Sequence, residues 1–203
     1  MLTLHRAASF ASRVGQLSSN VRPHMTTTWR VRRVPHDTLW RLAMYHVQIV
    51  EDKAARNEHT DIRYDGMSAV IALAFSIEAI LNFVGERKLG ADWKERASYK
   101  QKMSALEKRL DFKCIKTDQP FRTLEALKEA RDKMAHGKPA DFEVTAEGTN
   151  EVAAAMQTEW SPNITVQAVL AAAAEVSQFK EFLFKRARVK PGTGFTSASS
   201  EGE

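Results

Sequence analysis

The sequence predicts an all-α protein built as an antiparallel up-and-down bundle of four to five helices. The 203-residue chain is 43% hydrophobic and 27% charged, a balance that suits one globular domain of ordinary size. Long stretches are rich in Ala, Leu, Glu, Lys, Arg and Gln, which favour helix. Apolar residues recur at helical spacing in five segments joined by short connections, and short connections favour antiparallel neighbours.

The first two predicted helices carry most of the apolar residues. The first covers about residues 37–57, with Asp37 as its N-cap and His46 on its apolar face. The second covers about residues 66–87 and is apolar on nearly every side, so we expect it at the centre of the bundle. Gly90 ends the connection that follows it. Polar residues interrupt its apolar run, which predicts a buried core helix rather than a membrane span: Ser68, Ser76, Glu78 and Asn82.

The third predicted helix begins at Asp92, because Asp92 and Glu95 have the spacing of a capping box. Its predicted buried stripe consists of Trp93, Met103, Leu106 and Leu110. The fourth helix begins near Asp118, accommodates Pro120 in its first turn and ends at His136.

The last helix is predicted to begin with Ser161 as its cap and Pro162 as its first residue, and to run to about Arg188. Between the fourth and last helices, residues 140–150 alternate weakly and contain turn residues. This pattern is compatible with a short strand or a hairpin.

The chain ends are predicted to flank the bundle, which covers residues 34–188. Residues 1–36 contain no Asp or Glu but several arginines: Arg6, Arg13, Arg22, Arg30, Arg32 and Arg33. Such a composition is typical of an organellar transit peptide. It also suits a disordered basic arm over residues 1–33, or a translated region upstream of a native start at Met25, and we favour these two. Residues 189–203 are rich in Gly and Ser and are predicted to be a disordered tail.

Charge and cysteine content limit the function classes. The formal net charge is +5, which is compatible with a polyanionic partner such as RNA. Cys114 is the only cysteine, so neither an intrachain disulfide nor a Cys-based zinc site can form. We expect Cys114 to be a small buried hydrophobe, His36 and His59 to lie in loops, and His46 to be a core residue. We expect a cytoplasmic protein with no metal, cofactor or membrane contact.

An arginine and a histidine lie in the last two turns of the fourth helix. Each helical residue turns by about 100°, so Arg131 and His136 lie about 140° apart and can share one volume only because the helix ends there. Gly137 is predicted to cap that end with a positive φ. Arginine binds phosphate oxygens bidentately and histidine titrates near neutral pH, so the pair suits cleavage of an RNA backbone. The alternative is that Arg131, Lys133 and His136 only stabilise the helix dipole.

The segment "LKEARDKMAHGKP" resembles the signature helix of HEPN domains, the higher-eukaryote and prokaryote nucleotide-binding family. Their motif is an arginine, a polar residue and, a few residues later, a histidine that is often followed by glycine. Arg131, Asp132, His136 and Gly137 match it. The segments "AVIALAFSIEAILNFVGERKL" and "DWKERASYKQKMSALEKRL" resemble the family's first core helix and the helix after it. The resemblance covers about residues 37–140.

The resemblance implies a helical bundle that is usually dimeric, with the arginine–histidine pairs at the dimer interface. Many members are metal-independent endoribonucleases of toxin–antitoxin, abortive-infection and other defence systems. It therefore implies RNA, a second copy of the chain and an antitoxin or other protein as partners. Other members are non-catalytic interaction or dimerisation modules, and that interpretation stays open here, as does nucleotide binding in the same cleft.

Carried onto this chain, the motif places Arg131 on the scissile phosphate and makes His136 the general acid or base. Asp132 stands where Asn is commonest in the family, and it either orients His136 or pairs with Arg131. Glu78 lies among apolar residues of the second helix and is expected to hold Arg131 in position. Two lysines are expected to contact the substrate: Lys133 and Lys138.

Overall fold

The computed structural model describes residues 29–139, 141, 143–190 and 197–200. Residues 31–198 fall in one compact unit, to which all the described helices belong. Most of the predicted arm and tail lies outside the described residues. Two short strands fall within those two segments, β1 (Trp29–Arg32) and β2 (Ser197–Ser200), and they are neighbours in a two-stranded sheet.

The main unit is mostly helical, which confirms the all-α class. Its α-helices are α1 (Pro35–Ala55), α2 (Ile62–Leu89), α3 (Tyr99–Leu110), α4 (Phe121–His136), α5 (Thr149–Ala155) and α6 (Val166–Arg186). Two short 3-10 helices cover Gly90–Asp92 and Ser161–Ile164. The prediction of four to five helices was wrong, because α5 was not anticipated. The strand or hairpin predicted for residues 140–150 is not found in the described part of that segment.

Helix α2 lies at the centre of the core, as its all-round apolar character predicted. It contacts α1, α3, α4 and α6. Leu73, Ile80 and Leu81 on α2 are fully buried. By length and composition alone, the segment Ile62–Asp92 could cross a membrane, but 56% of its most apolar window is buried inside the protein. The helix thus supplies the surface on which the other elements pack.

Two glycines let neighbouring segments approach α2 closely. A Cβ atom on Gly66 would lie 2.5 Å from the main-chain oxygen of Ile164, in the 3-10 helix before α6. A Cβ atom on Gly85 would lie 2.3 Å from the ring of Trp93. Trp93 therefore packs on α2 from the connection before α3, and its predicted place on the buried stripe of α3 was wrong.

The start of α3 differs from the prediction by seven residues. Ser98 caps the helix: its hydroxyl accepts from the Gln101 N–H at 3.3 Å, and Gln101 Oε1 accepts from the Ser98 N–H at 2.9 Å. This reciprocal pair is the capping box. Asp92, the predicted cap, lies instead in the preceding 3-10 helix. Asp92 with Glu95 and Ser98 with Gln101 both have the spacing of a capping box. The segment that begins at Asp92 is kept out of the helix because Trp93 packs on Gly85.

Three other helices also begin at residues different from those predicted. Helix α1 begins at Pro35, so Asp37 lies in its first turn, where its carboxylate accepts from Arg41 Nε at 3.0 Å. Helix α4 begins at Phe121, directly after Pro120 rather than before it. The cap of α6 is Thr165, whose hydroxyl accepts from the Ala168 N–H.

Gly90 and Gly137 each follow a helix, but of the two only Gly90 has a positive φ. Gly90 ends α2 with a φ of +53°, the left-handed conformation that favours glycine. Gly137 follows α4 with φ −56° and ψ 132°, so the predicted positive φ was wrong. A Cβ atom on Gly137 would lie 3.0 Å from the Lys133 oxygen and 3.4 Å from the Trp160 ring. The glycine therefore serves close packing rather than a left-handed turn.

Of the three histidines assigned by pattern, His59 lies where expected, exposed in the connection between α1 and α2. His46 was predicted to be a core residue but is half-buried on α1, outside the core cluster. His36 was predicted in a loop but lies in the first turn of α1 with 2% of its surface exposed. Its ring centroid is 4.1 Å from that of Phe83. The aromatic packing partner comes from α2, which local sequence could not indicate.

Candidate functional site

The C-terminal end of α4 and the adjacent face of α2 form a shallow depression. Arg131, Asp132 and His136 line it together with apolar side chains of both helices: Ile71, Phe75, Met134 and Ala135. His136 is the last residue of α4 and is exposed. The structure therefore brings the three residues of the predicted motif to one place on the surface.

Arg131 has partners on two sides of its guanidinium. Its Nε donates to Asp132 Oδ1 at 3.0 Å, and Nη2 donates to the same oxygen. The guanidinium carbon lies 5.6 Å from the ring centroid of Phe75, a cation–π distance. Only 23% of the Arg131 side chain is exposed. These contacts hold the guanidinium in place, and Arg131 lines the depression.

Asp132 is bound by two basic side chains of its own helix. Besides Arg131, Lys128 donates to it, from Nζ to Oδ2 at 2.8 Å. The Lys128 hydrogen bond and then the Arg131 hydrogen bond lower the pKa of Asp132 below its ordinary value. Asp132 is therefore an anion at neutral pH. Of its two predicted roles, pairing with Arg131 is the one formed by the described contacts.

Glu78 lies on α2 near Arg131, the residue that it was expected to hold in position. Its Oε2 atom lies 3.9 Å from Arg131 Nη1, at the outer limit of an ion pair. Its other oxygen, Oε1, accepts a short hydrogen bond from Nζ of Lys102 on α3. Lys102 was not predicted. Its only sequence signal is its position between Tyr99 and Leu106 on the buried side of α3.

These side chains form one ionic network across three helices. It contains three cations and two carboxylates, in the order Lys102, Glu78, Arg131, Asp132 and Lys128. The network thus carries one net positive charge next to the depression. An excess positive charge on a partly desolvated surface attracts an anion such as phosphate.

The two predicted substrate lysines lie beside His136 but along a wider groove. Lys133 and Lys138 line it with Trp160, Met156 and neighbouring residues. His136 lines both the groove and the depression. Lys133 Nζ lies 2.7 Å from a carboxylate oxygen of Glu159, and this hydrogen bond raises the pKa of Lys133. Lys133 is therefore already paired with an acid, and Lys138 is exposed after the end of α4.

Cys114 is half-buried and is not placed for nucleophilic chemistry. Burial, together with the nearby carboxylates of Glu107 and Glu125, raises its pKa to about 11. The thiol is therefore protonated at neutral pH. Among the residues that the structure describes, no group of three or more His, Cys, Asp or Glu side chains is arranged to hold a metal ion.

Comparison of the chain with protein-family models, with curated proteins and with solved structures finds no match. The functional argument therefore depends on the site itself.

Proposed function

We propose that this chain is a HEPN-like protein that binds RNA and cleaves it as a metal-independent endoribonuclease. The proposal includes the antiparallel arrangement of the bundle and a cytoplasmic role in a toxin–antitoxin or abortive-infection defence system, with an antitoxin or other protein as a further partner. The observation that carries it is the shared depression: a guanidinium and an exposed imidazole border the same small volume at the end of α4.

Each group has a chemical task in this proposal. The ribose 2′-oxygen attacks the adjacent phosphorus, and the bond from phosphorus to the 5′-oxygen of the next nucleotide breaks. His136 takes the 2′-OH proton, and a second histidine gives a proton to the leaving 5′-oxygen. Arg131 stabilises the added negative charge on the phosphoryl oxygens. The products are a 2′,3′-cyclic phosphate and a 5′-hydroxyl.

The second histidine comes from a second copy of the chain. A two-fold symmetric dimer with the α4 ends at its interface supplies two arginines and two histidines to one cleft. Phe75, beside Arg131, is 45% exposed although it is a large apolar side chain. Covering it with the partner would remove that apolar surface from water, which favours association.

A specific observation favours a second candidate, a non-catalytic interaction module. Arg131 already has an anionic partner in Asp132 and lies near Glu78, so the guanidinium is occupied without a ligand. In that case the end of α4 serves dimer packing. The two candidates differ in one outcome, because only the nuclease needs the imidazole of His136.

The test is the His136→Ala variant, incubated with total RNA in the presence of EDTA. We expect wild-type cleavage to persist in EDTA and the variant to lose about 10²–10⁴-fold in rate, the usual contribution of a positioned general acid or base. His59→Ala is the matched control, because His59 is an exposed loop histidine that does not line the depression. A folded His136→Ala protein that cleaves at the wild-type rate excludes the nuclease proposal.

A further inference from the structure

Lys102 is the most deeply buried charged side chain among the described residues. Its side chain is 1% exposed, whereas that of its partner Glu78 is 37% exposed. A buried ammonium group is costly unless it is paired. Of the hydrogen bonds and ion pairs described for Lys102, the only side-chain partner is Glu78. Lys102 is therefore a buried cation whose described side-chain partner is a single carboxylate, that of Glu78.

That carboxylate lies between two cations from different helices. Lys102 on α3 binds Oε1 of Glu78, and Arg131 on α4 lies 3.9 Å from Oε2. The short contact is with Lys102, so Glu78 pairs mainly with the lysine and only at the limit of range with the arginine. The distance leaves the Nη1 side of Arg131 without a close carboxylate.

We infer that Lys102 is a positioning residue of the anion-binding end of α4: it neutralises Glu78 and so keeps the Arg131 guanidinium available to a phosphate. The inference rests on the proposed function of the same site. Without the lysine, the close cation left to Glu78 among its described ion pairs is Arg131. Coulomb attraction would then draw the guanidinium towards Glu78 and away from the depression.

The test compares Lys102→Met, Glu78→Gln and the double variant in the full chain. The probe is a fluorescent 2′-O-methyl oligoribonucleotide, which binds like RNA but has no 2′-OH to react. We expect Lys102→Met to weaken binding about tenfold and the double variant to return to within about threefold of wild type, a coupling usual for contacting charges. Lys100→Met is the matched control, an exposed lysine on the same helix.

A direct readout of Arg131 separates positioning from loss of folding. The ¹H–¹⁵N signal of Arg131 Nε is recorded below the melting temperature of each variant, with Arg131→Lys to assign it. We expect the signal to shift in Lys102→Met and to return in the double variant. An unshifted signal in a folded Lys102→Met protein overturns the inference, and so does unchanged binding of the probe.

The same experiment distinguishes the inference from the function on which it rests. If the wild-type chain does not bind the oligonucleotide, the proposed RNA function fails. The Arg131 Nε signal then tests the positioning role of Lys102 by itself. A shift in Lys102→Met that the double variant reverses supports this role, and the absence of a shift contradicts it.

Discussion

Asp132 occupies the guanidinium that is proposed to bind RNA. It accepts hydrogen bonds from Arg131 and from Lys128, one on each carboxylate oxygen. A phosphate at the depression must therefore use the side of Arg131 that faces away from Asp132. Asp132 therefore holds the Arg131 side chain in place. Because these hydrogen bonds form with the ionised carboxylate, their contribution to stability depends on pH.

The lowered pKa of Asp132 predicts a pH-dependent contribution to stability. A depressed pKa stabilises the folded state above the ordinary value of 3.8, and this contribution is lost as the pH falls through the lowered value. We expect Asp132→Asn to be less stable than wild type at pH 7, by less than about 1 kcal/mol because the carboxylate is 37% exposed.

Urea unfolding at pH 7 and at pH 3 measures this difference, which should shrink at the lower pH. Asp92→Asn is the control, an exposed aspartate at the end of a short 3-10 helix. A stability difference between Asp132→Asn and wild type that is the same at both values contradicts the assigned hydrogen bonds.

At the residue level, the sequence predicted the members of the site better than their partners. Arg131, Asp132 and His136 lie on one helix, so their spacing alone limits where they can be. Glu78 was predicted beside Arg131 because a carboxylate in an apolar run needs a partner. Lys102 could not be predicted in the same way, because its pairing depends on how α3 packs against α2.

At the level of elements, helical periodicity located five helices but not all their ends. Asp92 with Glu95 and Ser98 with Gln101 have the same capping spacing, and nothing local decides between them. The start of α3 is determined by Trp93. Its ring packs on Gly85 and its backbone is extended, so the helix begins only after Ser98. Helix α5 was missed because a seven-residue segment is too short to show a period.

The close approach at Gly66 gives a prediction for α2. Inside a helix, replacing glycine with alanine normally stabilises the helix by about 1 kcal/mol. Here its Cβ atom would lie 2.5 Å from the main-chain oxygen of Ile164, and backbone atoms cannot move aside easily. We therefore expect Gly66→Ala to lower the free energy of unfolding by about 1–3 kcal/mol, the usual cost of overpacking.

Thermal and urea unfolding of Gly66→Ala test this contact. Gly148→Ala is the control, because nothing lies within 4 Å of a Cβ atom at that position and its φ of −158° is ordinary extended backbone. A Gly66→Ala protein as stable as wild type, or more stable, would show that α2 and the segment before α6 are not in contact as described.

At the level of the whole molecule, composition and periodicity were sufficient for the all-α class. They did not determine which helices touch, because packing depends on contacts between residues far apart in the chain. The proposed dimer is likewise a property of surfaces rather than of local sequence. It is supported by the exposed Phe75, which lies beside Arg131 on the surface that the dimer would cover.

The central claim is that the α4 ends of two copies form one RNA-cleaving cleft. Co-expression of wild-type and His136→Ala chains with different tags, followed by purification of the mixed dimer, tests it most directly. The mixed dimer keeps both arginines but has a single histidine in the cleft, so it lacks either the base or the acid of the reaction. We predict that its RNA cleavage is about 10²–10⁴-fold slower than that of wild type, because both histidines serve one reaction. A mixed dimer that keeps about half of the wild-type rate, as two independent sites would, or a wild-type chain that is strictly monomeric while it cleaves RNA, would contradict the account.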